Sequence, residues 1–180
     1  MKWVPHEYQK QAVQWLLSHP EGALFLEPGL GKTAVALTAL MALRKAGGAK
    51  RALVVAPLRP CYSVWTQEYG GEISKWDQFA SLKVALLHGP DKDERILENA
   101  DLYVVNFDGL SWAMTHRDRL LSKGVDVLII DELSKLKHTK TQLFKALKPS
   151  LGMFRRRWGL TGSPASNGLL DLFGQAYAID

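Results

Sequence analysis

Residues Val125 to Ile130, interrupted only by Asp126, form the most continuous apolar run in the chain and lie between Gly124 and Asp131. A run of that length suits a strand buried on both faces, which in turn requires helices above and below it. Shorter runs of the same kind occur at Ala23 to Leu26, Ala52 to Ala56, Leu82 to Leu87, Leu102 to Val105 and Trp158 to Leu160. Segments of helical character separate them: Glu7 to Ser18, Lys32 to Lys45, Cys61 to Tyr69, Leu110 to Leu121, Gln142 to Leu147 and Leu169 to Tyr177. Pro5 and Pro20 bound the first of these segments, and Gly47-Gly48 stops the second. Alternation of this type predicts an α/β fold with a mostly parallel central sheet flanked by helices, in three layers. The stretch His88 to Glu94, with Gly-Pro-Asp-Lys-Asp, reads as a turn.

The 180 residues suit one domain, and 47% hydrophobic residues supply a core. Cys61 is the one cysteine. It has no internal disulfide partner, and a lone thiol suits a reducing compartment. No apolar run reaches the ~20 residues of a membrane helix, and MKWVPHEYQKQ lacks a signal core. A cytoplasmic protein with no membrane partner is the expectation. The net charge of +5 permits nucleic-acid binding without establishing it.

Glu27-Pro28-Gly29-Leu30-Gly31-Lys32-Thr33 joins a predicted strand to a predicted helix, the setting of a phosphate loop. Glycines let the backbone turn tightly against an anion, and backbone N–H groups at the helix start supply positive charge. Lys32 is placed to reach the outer phosphates, and the Thr33 hydroxyl to coordinate Mg²⁺. The strict pattern has glycine five positions before Gly31, where this chain has Leu26. A plain strand–helix turn carrying a surface lysine is the competing reading of this segment alone.

Asp131-Glu132 closes the longest apolar run. Ligands of open α/β sheets bind at the carboxyl ends of strands, so this pair and the phosphate loop can meet at one edge. Asp131 is then the Mg²⁺-holding carboxylate, and Glu132 the group that orients or deprotonates an attacking water. Solvated carboxylates capping a helix are the alternative.

Taken in order, these segments resemble the first RecA-like lobe of superfamily 2 helicases, and most closely the Swi/Snf-like branch of DNA translocases, from about His6 to Leu172. His6-Glu7-Tyr8-Gln9 with Ala12-Val13-Gln14-Trp15-Leu16 resembles the adenine-reading glutamine segment, and Gly29-Leu30-Gly31-Lys32-Thr33 resembles motif I. Leu53-Val54-Val55-Ala56-Pro57 with Trp65 and Glu68 resembles motif Ia, and Val104-Val105-Asn106-Phe107 resembles motif Ib. Asp131-Glu132-Leu133-Ser134 with Lys135-Leu136-Lys137 resembles motif II. Leu160-Thr161-Gly162-Ser163-Pro164 with Asn167, Leu169, Leu172 and Phe173 resembles motif III and its trailing helix.

The resemblance implies a RecA-like P-loop NTPase lobe with ATP and Mg²⁺ as ligands. Lys32, Asp131 and Glu132 would be catalytic, with Thr33 and Asp131 on the metal. Gln9, Pro28, Gly29, Leu30, Gly31, Lys32 and Thr33 would line the nucleotide. Thr161, Gly162 and Ser163 would couple it to nucleic acid, and Pro57, Arg59 and Asn106 would lie near a bound backbone, with double-stranded DNA as the implied partner. The compact segments between these motifs suit a bacterial or phage protein. Contacts to a backbone position a strand without reading its sequence. Motif II usually continues with Ala-His, where this chain has Leu133-Ser134, and serine reaches less far. The family uses two lobes. Residues 1–180 read as lobe 1 alone, so a second lobe, in the parent chain or in trans, is expected to complete the site.

Arg155-Arg156-Arg157 reads either as a phosphate-facing run or as a solvated edge, and Lys135, Lys137, His138 and Lys140 either as a nucleic-acid contact or as a basic loop. Trp3, Trp76 and Trp158 have no assignment from sequence. The histidines show no zinc-ligand spacing. Two functions remain open: an ATPase motor lobe acting on DNA, and a non-motor module in which ATP binding switches association with nucleic acid or protein.

Overall fold

The computed structural model describes residues 1–66, 71–136, 138–164 and 171–180. Glu68, Lys137, Asn167 and Leu169, named above, lie outside the described residues. In chain order the elements are α1 (Glu7–Ser18), β1 (Glu21–Phe25), α2 (Lys32–Lys45), β2 (Arg51–Ala56), α3 (Leu58–Ser63) and α4 (Glu72–Lys75). There follow β3 (Val84–Leu86), α5 (Lys92–Arg95), β4 (Leu102–Asn106), α6 (Leu110–Thr115), α7 (Arg117–Ser122) and β5 (Val125–Asp131). α8 (Gln142–Leu147), β6 (Arg156–Thr161) and α9 (Asp171–Ile179) close the chain. The strands form one sheet in the order β1-β6-β5-β2-β4-β3. Every pairing is parallel, with Val54 opposite Val104 and Ile129, and Ile129 opposite Trp158.

Alternation along the strands builds two separate cores. On one face Val54, Val104, Ile129, Trp158 and Leu160 pack with α2 residues Val35, Leu37 and Leu40 and with Leu16 of α1. On the other, Leu53, Val55, Tyr103, Leu128 and Ile130 pack with Leu110, Leu120, Phe144 and Ile179. The sheet is therefore the middle of three layers, and its apolar strands are buried on both sides. Burying the Tyr103 ring carries its hydroxyl inside, where it donates to the Glu98 carbonyl at 2.6 Å. Burial also raises the Tyr103 phenol above its ordinary pKa.

Three expectations shift. Leu110 to Leu121 is two short helices, α6 and α7, meeting at His116. Thr115 Oγ1 (2.7 Å) and His116 Nδ1 (2.9 Å) both bond the Trp112 carbonyl, which the His116 N–H reaches at 3.3 Å, so side chains compete with the helix ladder for that acceptor. The helix expected from Cys61 starts earlier, after Pro57, because a proline in the first turn (Pro60) is tolerated where no intrahelical donor is required. Within His88 to Glu94, the turn at Gly89 (φ 82°) leads directly into α5.

The arginine run sits at the start of β6, the sheet edge opposite the loop after β1. Arg156 donates to the Leu16 and Leu17 carbonyls at 3.3 Å, and Arg157 to Glu21 and to the Asp180 carbonyl. Burial, then Arg155 beside it, lowers the Arg156 pKa, with Asp126 opposing. These two arginines tie β6 to α1, to β1 and to the end of the chain. Trp158 is fully buried between the sheet and α1, donating to the His19 carbonyl, and Trp3 is buried against Phe79. Trp76 donates to Glu72 at 2.6 Å, with the Lys75 ammonium over its ring. Among the described residues no helix is long and apolar enough to cross a membrane.

Candidate active site

The C-terminal ends of β1, β5 and β6 lie side by side, and every carbonyl end of the parallel sheet points the same way. The chain leaves β1 and is tied to the end of β6 by Leu26 N–H donating to the Thr161 carbonyl at 3.2 Å. It turns through Gly29 (φ 85°) and enters α2 at Gly31, whose left-handed backbone (φ 79°) forms the N-cap. A Cβ on Gly31 would sit 2.5 Å from Gln9 Nε2. Glycine is needed there for both its φ and its size.

Gln9 is one of the few buried polar residues. Its Oε1 accepts from the His6 N–H at 2.9 Å, and its Nε2 donates to the Leu30 carbonyl at 3.1 Å. Tyr8 Oη reaches the same carbonyl at 3.3 Å. The N-terminal helix therefore buttresses the loop that leads from β1 into α2. Lys32 folds back over the loop and donates to the carbonyls of Leu26 (2.5 Å) and Glu27 (3.1 Å). Pro28 lies against Gly162, since a Cβ there would meet Pro28 Cδ at 3.0 Å. Thr33 follows Lys32 in the first turn of α2.

Asp131 is the last residue of β5. Its Oδ2 accepts from Trp65 Nε1 at 2.8 Å. Burial raises the Asp131 pKa, the Trp65 hydrogen bond opposes the rise, Glu132 adds to it, and the Lys32 ammonium lowers it. That last effect places Lys32 and Asp131 in one electrostatic neighbourhood. Cys61, one turn before Trp65, is fully buried. Burial and then the Asp131 charge push its thiol up to about 12, so it stays protonated and inert as a nucleophile.

Glu132 has φ 66°, the left-handed region, and is the only non-glycine there among the described residues. Side chains seldom adopt that backbone without compensation. Here its Oε1 accepts from Thr161 Oγ1 at 2.9 Å and from Ser134 Oγ at 2.5 Å. The Ser163 N–H donates to Thr161 Oγ1 at 3.3 Å, extending the chain of bonds into the loop after β6. Ser134 thus reaches back to its own neighbour, and Glu132 itself spans the gap to Thr161.

Pro57 and Asn106 share a surface cavity of about 570 Å³ with Leu58, Phe107, Lys135 and Gln142. Asn106 Oδ1 accepts from the Gly109 N–H at 3.2 Å and caps a 3₁₀ turn. Arg59 is exposed in the first turn of α3, outside that lining. Trp65 matches motif Ia in sequence, but its bond to Asp131 was not legible there because it spans 66 residues.

Residues 8–175 match the family model of the SNF2-related domain. The chain belongs to the SNF2-related domain family. Protein p41 of Acyrthosiphon pisum secondary endosymbiont phage 1 is 33% identical to this SNF2-related domain over 99% of the chain and 39% of p41. The Chromodomain-helicase-DNA-binding protein 3 homolog of Caenorhabditis elegans is 28% identical over 93% of the chain and 10% of that protein. The Sulfolobus solfataricus SWI2/SNF2 ATPase core, solved in complex with dsDNA, superposes with a TM-score of 0.76 at 24% identity. It is matched over the whole chain and 36% of its own. The SNF2-related domain thus has the RecA-like α/β fold and spans well under half the length of these relatives.

Proposed function

We propose that this SNF2-related domain binds Mg·ATP at the loop Gly29 to Thr33 and contributes to its hydrolysis, as one lobe of a motor that moves on double-stranded DNA. The observation that carries the reading is the meeting of Lys32, Asp131, Glu132 and Thr161 at one sheet edge, with Gln9 against the loop. Backbone N–H groups from Gly29 to Thr33 cradle the phosphates, and Lys32 exchanges its loop carbonyls for phosphate oxygens. Gln9 selects adenine, while Pro28 and Leu30 shape the loop.

Thr33 and Asp131 would hold a Mg²⁺ ion, since one hydroxyl and one carboxylate suit a cation that otherwise prefers water and phosphate oxygens. Bound there, Mg²⁺ supplies charge neutralisation at the phosphates. Glu132 orients the attacking water and takes its proton as the oxygen bonds to the γ-phosphorus and the bond to ADP breaks. Thr161, Gly162 and Ser163 connect that carboxylate to the nucleic-acid face. There Pro57 and Asn106, with Lys135 lining the same cavity, and the exposed Arg59 outside it contact a phosphate backbone. The relatives' greater length and the dsDNA complex of the Sulfolobus protein support a second lobe and a duplex partner.

A module that only binds ATP needs no water-positioning carboxylate held by two hydroxyls, which favours the motor over the switch. The test is ATP turnover in the protein carrying this domain, with and without double-stranded DNA. Turnover stimulated by DNA and lost in Glu132→Gln is expected; turnover indifferent to Glu132→Gln overturns the reading. The isolated 180-residue chain is expected to bind ATP and turn it over slowly, since arginine fingers from a partner lobe contribute ~10³–10⁵ in rate.

A further inference from the structure

The geometry points to Trp65 as a positioning residue that fixes the metal-facing carboxylate of Asp131. The inference rests on the Mg·ATP reading of the site and names a part of it that lies outside the phosphate loop and the acidic pair.

Trp65 has no solvent exposure, and its indole carries one donor and no acceptor. A buried indole N–H needs a partner, and any nearby carbonyl would satisfy it. Here the partner is a carboxylate 66 residues away, at 2.8 Å, on the functional edge of the sheet. The donor is rigidly mounted: the ring belongs to the core on the α2 face, and the Trp65 N–H donates to the Pro60 carbonyl at 3.1 Å. An aspartate χ2 is intrinsically broad, and beside a bond from the Glu132 backbone the Trp65 indole is the side-chain donor that restrains it. Holding Oδ2 in place stops that rotation and sets the direction of the other oxygen. The donor is also neutral. A lysine or arginine there would orient Asp131 equally well but cancel the charge that a cation requires. An indole orients the carboxylate and leaves it anionic. Outer-shell donors of this kind are worth about 10- to 100-fold in metal affinity.

The test replaces the donor while keeping the shape. Trp65 is exchanged for 3-benzothienylalanine, which puts sulfur where the N–H was, and in parallel Trp65→Phe is made. Binding of Mn²⁺ to the full chain with AMP-PNP is followed by the EPR signal of the free ion, and metal-free nucleotide affinity is measured in EDTA. Both replacements are expected to weaken Mn²⁺ binding about 10- to 100-fold and leave the EDTA affinity unchanged. In an Asp131→Asn background the benzothienyl exchange is expected to add nothing. Wild-type Mn²⁺ affinity in the benzothienyl protein, with Asp131→Asn still weakened, overturns the positioning role alone. Equal Mn²⁺ affinity in wild type and Asp131→Asn overturns the metal reading beneath it.

Discussion

Asp131 and Glu132 are neighbours in sequence, yet they are held from opposite sides of the strand that carries them. β5 lies between β2 and β6. Asp131 is tied to Trp65, in the segment that follows β2, by a fully buried indole N–H. Glu132 is tied to Thr161, at the end of β6, and to Ser134, by hydroxyls that can rotate to other acceptors. The first tether is anchored in the core. The second continues through Ser163 into the loop after β6, beside residues proposed to sense nucleic acid. The contrast separates a fixed carboxylate, suited to hold a cation, from an adjustable one, suited to be switched on.

The largest effect should come from Glu132→Gln. Loss of a general base costs about 10²–10⁴ in turnover. Glutamine keeps an acceptor for Thr161 and Ser134, so nucleotide and Mn²⁺ affinity should stay at the wild-type level. A rapid-quench assay beside an equilibrium binding measurement separates the two. If metal binding falls together with turnover, the division of labour between the carboxylates is wrong.

Asp131→Asn should do the converse, weakening Mn²⁺ binding while stabilising the fold. The raised pKa means the folded state binds the proton more tightly than the unfolded chain does. Stability therefore falls as pH rises from the unfolded pKa through the folded one. Above both values the ionised carboxylate is a net cost. Asparagine removes that cost and still accepts from Trp65. Without nucleotide at neutral pH, Tm should therefore lie above that of the wild type. The gain should vanish as pH falls below about 3.9, where an unfolded aspartate is itself protonated. A variant that melts lower than wild type at neutral pH would show that the carboxylate is not strained by its burial.

Much of this arrangement was legible beforehand, and the reason is locality. Gly29 to Thr33 and Asp131-Glu132 are short contiguous segments flanked by apolar runs, so sequence alone placed them at strand ends. The alternation of runs likewise announced a parallel three-layer sheet. Strand order was not legible, because it depends on which of several apolar strands pair. It is that order, with β5 between β2 and β6, which decides that Trp65 meets one carboxylate and Thr161 the other. The Arg155 to Arg157 run was ambiguous for the same reason: its sheet edge follows from the direction of β6. The His116 break between α6 and α7 went unseen because side chains compete there for a carbonyl.

Thr161→Val tests the adjustable tether. A hydrogen bond to a charged group contributes about 1.5–3 kcal/mol, so turnover should fall roughly 10- to 100-fold with unchanged Mn²⁺ affinity. Valine also leaves the Ser163 N–H without its acceptor, so the response to DNA should weaken more than basal turnover does.

Ser134→Ala should have the smallest effect. Ser134 is half-buried, and it donates to the same Oε1 that Thr161 already holds. Water can take the vacated position, so the loss should be about two- to fivefold in turnover. The sign under DNA is the sharper readout. If the two hydroxyls together restrain Glu132, removing the one outside the motif III chain leaves Thr161 in sole control, and the ratio of DNA-stimulated to basal turnover should rise even as basal turnover drops. A ratio that falls in step with Thr161→Val would make Ser134 part of the coupling path and would erase the distinction between a tether that transmits and one that merely steadies.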